Sequence, residues 1–205
     1  MQPLIGLLIA YMAGSVPFAY LAGKARGIDL RQHGSGNLGA SNAVRVLGKR
    51  VGAVVYLGDT LKGVLPVVLL PSNVNTSRPH LWAIAFGVAA VLGHIWPVYL
   101  LGKGGGKGVA TAGGVFLGLA WLPTLIAAGV FALTLFTTRI SSVSSLMAAI
   151  ILPVAIFFYA GPGDPVFGLS VFILLLVIWT HRSNISRLRR GEEPRIGRRA
   201  GVSAG

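Results

Sequence analysis

Residues 109–138 carry no charged side chain, and that stretch limits the fold more than any other. It is too long for one untilted crossing, since about 20 helical residues traverse a hydrocarbon core of about 30 Å. Trp121-Leu-Pro123 lies near its centre, and proline removes a helix hydrogen bond and clashes with the preceding turn. The spacing predicts a turn at 121–123 between two helices, the first of them short (about 108–121). Other apolar stretches cover about 3–23, 51–70, 81–101, 140–160 and 165–180. In hydrocarbon every backbone N–H and C=O must pair within the protein, and stretches this long do so as helices. The expected fold is all-α: a polytopic integral membrane protein with about seven transmembrane helices.

The turn also decides sidedness. With a single crossing over 109–138, the arginines after residue 181 would lie opposite the basic loops at 24–50 and 103–107. With two crossings all these segments share one side, as the excess of Lys and Arg in cytoplasmic loops favours. The amino terminus is then outside and the carboxyl terminus cytosolic. Positive charge follows the first span rather than preceding it, which argues against a cleaved signal peptide. One membrane-integrated domain is expected over 1–193, and 194–205 reads as a basic, disordered cytosolic tail.

Charge and composition narrow the partners. The chain is 54% hydrophobic and 11% charged, against roughly 25% charged in soluble domains. Its net charge of +13 sits in loops between apolar spans, which fits anionic lipid or phosphorylated substrates better than nucleic acid. Cysteine is absent, so disulfides, thiolate metal sites and a cysteine nucleophile are excluded.

Three glycine- and charge-rich stretches interrupt the apolar chain. The first, Gly34-Ser35-Gly36-Asn37-Leu-Gly39, fits G-x-G-x-x-G, with Asp59 at the expected distance. No strand precedes it and Asp59 falls in an apolar helix, so a dinucleotide-binding fold is rejected. Glycines at 34 and 36 still let backbone N–H groups crowd around an anion ahead of a helix. Asn42 and Arg45 share a face of a short helix ending at Gly48, where Arg45 offers a fork of donors to a phosphate. In the second stretch, Lys103-Gly104-Gly105-Gly106-Lys107, Gly108 rather than Ser or Thr follows the second lysine, so it is not a P-loop. A glycine run between lysines suits a clamp on a charged substrate, with a helix N-terminus adding attraction. In the third, His181, Asn184 and Arg187 recur every three residues and would form one polar stripe where the last span leaves the membrane. Gly191 can end that helix, and Glu192 and Glu193 can pair with nearby arginines.

Isolated polar groups have plainer readings. Asp59 and Lys62 lie near the middle of the second span, where charges are costly, and a mutual ion pair is expected. His94 lies where the third helix leaves the membrane, with structural and substrate-binding readings evenly balanced. Ser141, Ser142, Ser144 and Ser145 open a helix; capping accounts for one or two, and the others, Ser142 among them, are candidate phosphate donors.

In this order and spacing the motifs resemble the bacterial acyl-phosphate:glycerol-3-phosphate acyltransferase family. The matching residues are Gly34-Ser-Gly-Asn-x-Gly-Ala-x-Asn-x-x-Arg45, Asp59-x-x-Lys-Gly63, His94-x-x-Pro97, the glycine run through Lys107-Gly-Val-Ala-Thr111, and His181-Arg-x-Asn-Ile-x-Arg-Leu-x-x-Gly-x-Glu193. The resemblance runs nearly end to end. It departs in having three glycines between Lys103 and Lys107 where the family usually has two, and Ser41 where threonine is usual. Lys107 keeps its sequel intact.

The resemblance implies a seven-helix enzyme of the bacterial inner membrane with its site facing the cytoplasm. It implies transfer of an acyl chain from acyl phosphate to the sn-1 hydroxyl of glycerol 3-phosphate, giving lysophosphatidic acid and phosphate. The implied partners are those two small molecules, the bilayer, and a soluble enzyme that makes acyl phosphate. It assigns Ser35, Arg45, Lys107, His181 and Asn184 to the substrate phosphate and reacting centre. Cationic groups would offset the repulsion between two phosphorylated reactants, and positioning would supply much of the rate. None of His33, His80, His94 or His181 has Asp five positions later, so direct attack is expected, with the donor's phosphate or His181 taking the proton. No cluster has metal-ligand spacing, and no cofactor is expected. A transporter of phosphate or an organophosphate is the alternative, although no internal repeat is visible. A membrane phosphotransferase or lipid phosphatase would want a carboxylate cluster for metal or a phosphorylated His, and with five acidic residues the chain is poorly equipped for either.

Overall fold

The computed structural model describes residues 1–196. Among them are ten α-helices and no strand: α1 (Pro3–Ser15), α2 (Phe18–Lys24), α3 (Ala40–Leu47), α4 (Lys49–Leu69), α5 (Pro79–Ile95), α6 (Val109–Leu119), α7 (Trp121–Thr138), α8 (Ser141–Ala160), α9 (Pro165–Thr180) and α10 (Arg182–Arg189). Five apolar helices or stacked helix pairs are long enough to cross a membrane, and α9 with α10, bent by 58°, makes a sixth. The remaining unit, α6, has 11 residues, about 16 Å of helix. Length alone therefore supports five or six crossings, not the full seven.

The long uncharged stretch does fold back. Its break is at Ala120, whose φ of −151° and ψ of 70° leave the helical region. The turn expected at 121–123 is displaced because Pro123 sits in the first turn of α7, where a missing N–H removes no intrahelical bond. The return is direct: Ser142 and Lys107 meet in one hydrogen-bond network through Glu193 and Asn184. Ser141 at the start of α8 also lies 2.6 Å from Ser41 of α3, Oγ to Oγ.

Small residues bring the helices together, as they must where lipid competes with side chains for apolar contact. Gly14 of α1 lies under the Ala90 carbonyl of α5, and Gly93 lies under the Tyr11 carbonyl, so a Cβ at either would collide. The crossing of α4 on α6 is built the same way, Gly63 against Thr111 and Gly114 against Thr60. On the other side α8 packs between α7 and α9, closing an apolar core that includes Val115, Phe116, Leu152, Ile156 and Ile173. Phe136, Phe158, Leu133 and Leu175 are exposed and form the lipid-facing surface of these spans.

Two local expectations change. The stripe of His181, Asn184 and Arg187 is not on one straight helix, because the chain bends at His181 between α9 and α10. None of the serines caps α8, whose N-cap is Ile140; Ser144 and Ser145 donate back to the carbonyls of Ile140 and Ser141. At the carboxyl end the Ile196 N–H donates to the Arg139 carbonyl at 2.8 Å, so the expected tail is anchored at its start. Its remainder, 197–205, lies outside the described residues.

Candidate active site

The first glycine stretch is shaped from behind by Asn42. Its Oδ1 accepts from the Ser35 N–H at 2.9 Å, and its Nδ2 donates to the carbonyls of Leu30 and His33 at 3.1 and 3.0 Å. Gly34 has φ +64°, and a Cβ there would strike Asn42 Oδ1, so glycine is required twice over. Asn42 spends its polar atoms on the loop, which leaves Ser35 and Asn37 lining a cavity, with Arg45 one turn further along α3.

The second stretch resolves the two lysines. Gly105 and Gly106 pack against the end of α5: the Gly106 N–H donates to the His94 carbonyl at 3.1 Å, and a Cβ on either glycine would collide with Ile95 or His94. That contact turns the loop so that Lys103 is exposed and does not line the cavity, whereas Lys107 does. Gly34, Gly36, Gly105 and Gly106 shape the loops and are not cavity-lining residues.

Lys107 Nζ donates to Asn184 Oδ1, and Asn184 Nδ2 donates to Glu193 Oε1 at 2.5 Å. Glu193 also accepts from Ser142 Oγ at 2.7 Å and from Arg187 Nε at 2.8 Å. Arg45 lines the same cavity, and its Nε is buried without a hydrogen-bond partner among the described residues. Arg45, Lys107 and Arg187 thus face Glu193, while Asp59, which also lines the cavity, is neutralised by Lys62 at 2.8 Å, so the mouth keeps a formal charge of +2 (3 − 1). Burial pushes the Lys107 ammonium down to about 8, against an upward pull from Glu193. Burial also holds Arg45 below its ordinary value. Burial by itself would raise Glu193, but hydrogen bonds from Asn184, Ser142 and Arg187 hold it below the usual carboxylate range.

His181 occupies the bend. Its Nδ1 lies 2.8 Å from the Val177 carbonyl, which can only accept, so Nδ1 carries the hydrogen and Nε2 keeps its lone pair. His94 also lines the cavity, but its ring is pressed between Gly106 and Asp59. The expected Asp59–Lys62 pair forms at 2.8 Å.

Behind these donors the cavity, ≈ 450 Å³ in volume, becomes apolar, lined by Ala112, Ala128, Phe131, Ala149, Leu152 and Ile173. Ser142 and Leu152 both line it, ten residues apart on α8, or about 15 Å of helix. Tyr56 of α4 and Leu125 of α7 line it too and are exposed on the outside of the bundle, so the groove opens sideways toward lipid.

Glu193 carries more of the site than its sequence reading as an arginine partner suggests. The signal was its place at the end of the third motif. The apolar groove had no motif at all, because its alanines and glycines read as ordinary helix packing.

A +2 mouth continuous with an apolar groove defines a class of polytopic helical membrane proteins in which anion donors and chain-binding surface share one cavity. Residues 4–191 match the family model described as Glycerol-3-phosphate acyltransferase. Proteins named glycerol-3-phosphate acyltransferase match over nearly their full length. One from Prochlorococcus marinus (strain NATL1A) is 45% identical over 95% of this chain and 98% of its own. One from Synechococcus sp. (strain CC9902) is 47% identical over 96% of each. The fold is similar to crystal structures of PlsY (YgiH), an integral membrane glycerol 3-phosphate acyltransferase. Its glycerol 3-phosphate form has a TM-score of 0.88, with 36% identity over 95% of this chain and 96% of that one. Its lysophosphatidic acid form has a TM-score of 0.85, with 36% identity over 95% of each. The chain belongs to the glycerol-3-phosphate acyltransferase family.

Proposed function

We propose that this protein moves a fatty acyl group from acyl phosphate to the sn-1 hydroxyl of glycerol 3-phosphate, giving lysophosphatidic acid and inorganic phosphate. The observation that carries the reading is convergence: Ser35, Arg45, Lys107, His181 and Asn184, from three distant stretches, line one cavity that continues into an apolar groove. A formal +2 charge matches a phosphate dianion, and such fixed donors stabilise charge most where water is scarce. The glycerol 3-phosphate phosphate sits against Arg45 and Lys107, with Ser35 and Asn184 as neutral donors. The acyl chain lies along Ala112, Ala128 and Ala149, entering from the bilayer past Tyr56 and Leu125.

The mixed anhydride carbonyl is already activated, so the protein's main task is to hold the hydroxyl against it. The sn-1 oxygen bonds to the acyl carbon, and the bond from that carbon to the phosphoryl oxygen breaks. The hydroxyl proton passes to the departing phosphate or to His181 Nε2, with no acyl-enzyme. The site faces the cytoplasm of a bacterial inner membrane, where glycerol 3-phosphate and a soluble acyl-phosphate-forming enzyme are available.

Purified protein in detergent tests the donor. Phosphate release that requires acyl phosphate and glycerol 3-phosphate together, with acyl-CoA giving no product, is expected. Release from acyl phosphate alone, or equal use of acyl-CoA, contradicts the reading.

A further inference from the structure

Asp59, Lys62 and His94 form a second polar cluster, whose Asp59 and His94 line the same cavity but which the acyl-transfer scheme does not use. All three side chains are at most 5% exposed. Lys62 Nζ is 2.8 Å from Asp59 Oδ1 and donates to the Val16 carbonyl, also at 2.8 Å. That carbonyl, which also accepts from the Phe18 N–H at 3.1 Å, lies where the chain breaks between α1 and α2 ahead of Pro17. Asp59 Oδ1 faces His94 Nδ1 at 3.5 Å. The other edge of the same imidazole, Nε2, lies where a Cβ on Gly106 would be, and the His94 carbonyl accepts from the Gly106 N–H at 3.1 Å. Gly106 is the residue before Lys107. A continuous series of contacts thus runs from the α1–α2 break through α4 and α5 to the lysine loop.

We propose that Asp59, Lys62 and His94 are positioning residues that set the height of the glycine loop, and through it the reach of Lys107 for the phosphate of glycerol 3-phosphate. The inference rests on the reading of Lys107 given above. The His94 ring is the floor on which Gly106 lies, and the Asp59 carboxylate backs that ring from 3.5 Å without a hydrogen bond to Nδ1. Lys62 neutralises Asp59 and ties it to the α1–α2 break, so the floor cannot tilt. The absence of a side chain at 106 lets the loop sit low enough for Lys107 to meet Asn184. A displacement of the order of 1 Å in such a group costs up to about 10²-fold in turnover efficiency. The burden falls mainly on glycerol 3-phosphate, because the apolar groove for the donor's chain is built chiefly from α6, α7, α8 and α9, with α4 contributing Tyr56 and Thr60 at its edge.

The test measures KM for each substrate, kcat and melting temperature in the purified full-length protein. Gly106→Ala should raise KM for glycerol 3-phosphate by about tenfold or more, with KM for acyl phosphate within twofold of wild type. His94→Ala removes the severest collision with the added methyl and leaves only the Leu38 carbonyl close to it at 2.9 Å, so Gly106→Ala should cost clearly less in that background than in the wild type. Effects that multiply, or equal rises in both KM values, overturn the inference. Asp59→Asn/Lys62→Met removes both charges together and leaves neither unpaired, so it should fold. A raised KM for glycerol 3-phosphate at unchanged melting temperature is expected, and a wild-type KM overturns the inference. Lys107→Ala separates the two levels. An unchanged glycerol 3-phosphate KM there overturns the assignment of Lys107 and the inference with it. A raised KM there beside wild-type values in the cluster variants overturns only the inference.

Discussion

Two groups of charges lie in this protein, and they differ in whether they balance. Asp59 and Lys62 cancel at 2.8 Å in the interior of α4, as charges at that depth generally must. The cluster at the end of the bundle sets Arg45, Lys107 and Arg187 against Glu193 and remains cationic. A balanced pair, once desolvated, asks for nothing more and serves as a tie between helices. An unbalanced cluster is complete only with an added anion. Glu193 keeps it from being more cationic still, and its three hydrogen bonds hold α8 and α10 in register around Lys107 and Asn184.

The largest effect should come from the unbalanced cluster. Lys107→Ala is expected to lower kcat/KM for glycerol 3-phosphate by about 10²–10³-fold, as loss of a fixed donor in a dry site does, while the protein keeps its melting temperature. Steady-state kinetics beside thermal unfolding checks this, and near-wild-type kinetics would remove the difference between the two clusters. A smaller effect is expected from pH. Lys107 is pushed down to about 8, and only its charged form attracts the substrate phosphate. The ratio kcat/KM should therefore hold below pH 8 and fall about tenfold per unit above it. A profile that stays level to pH 10 contradicts the electrostatic role. The smallest effect belongs to Lys103, which is exposed outside the cavity. Lys103→Ala should leave kcat/KM within about twofold, like most surface substitutions, and a loss comparable to that of Lys107→Ala would reverse the assignment.

Much of this was legible in the sequence for physical reasons. Long apolar stretches admit helices and little else, and an uncharged run too long for one crossing had to turn. The turn falls one residue before Trp121 because proline prefers the first turn of a helix to its end. Arg45, Lys107 and Asn184 stood out because cationic and amide donors beside glycine are unusual against an apolar background. The choice between Lys103 and Lys107 was not open to spacing, since it depends on where Gly105 and Gly106 meet the end of α5. The bend at His181 was equally hidden, because the sequence there carries neither proline nor glycine. The groove could not be read because Ala112, Ala128 and Ala149 occupy helical positions that pack equally well against a neighbour or a lipid chain.

The claim beneath all of this is that the three stretches form one pocket for phosphorylated substrate. The chain has no cysteine, so Ser35→Cys, Lys107→Cys and Asn184→Cys can each be labelled alone with a membrane-impermeant maleimide in oriented vesicles. All three should react from the same face, and glycerol 3-phosphate should protect all three together. Reaction from opposite faces, or protection of one position without the others, would contradict the account.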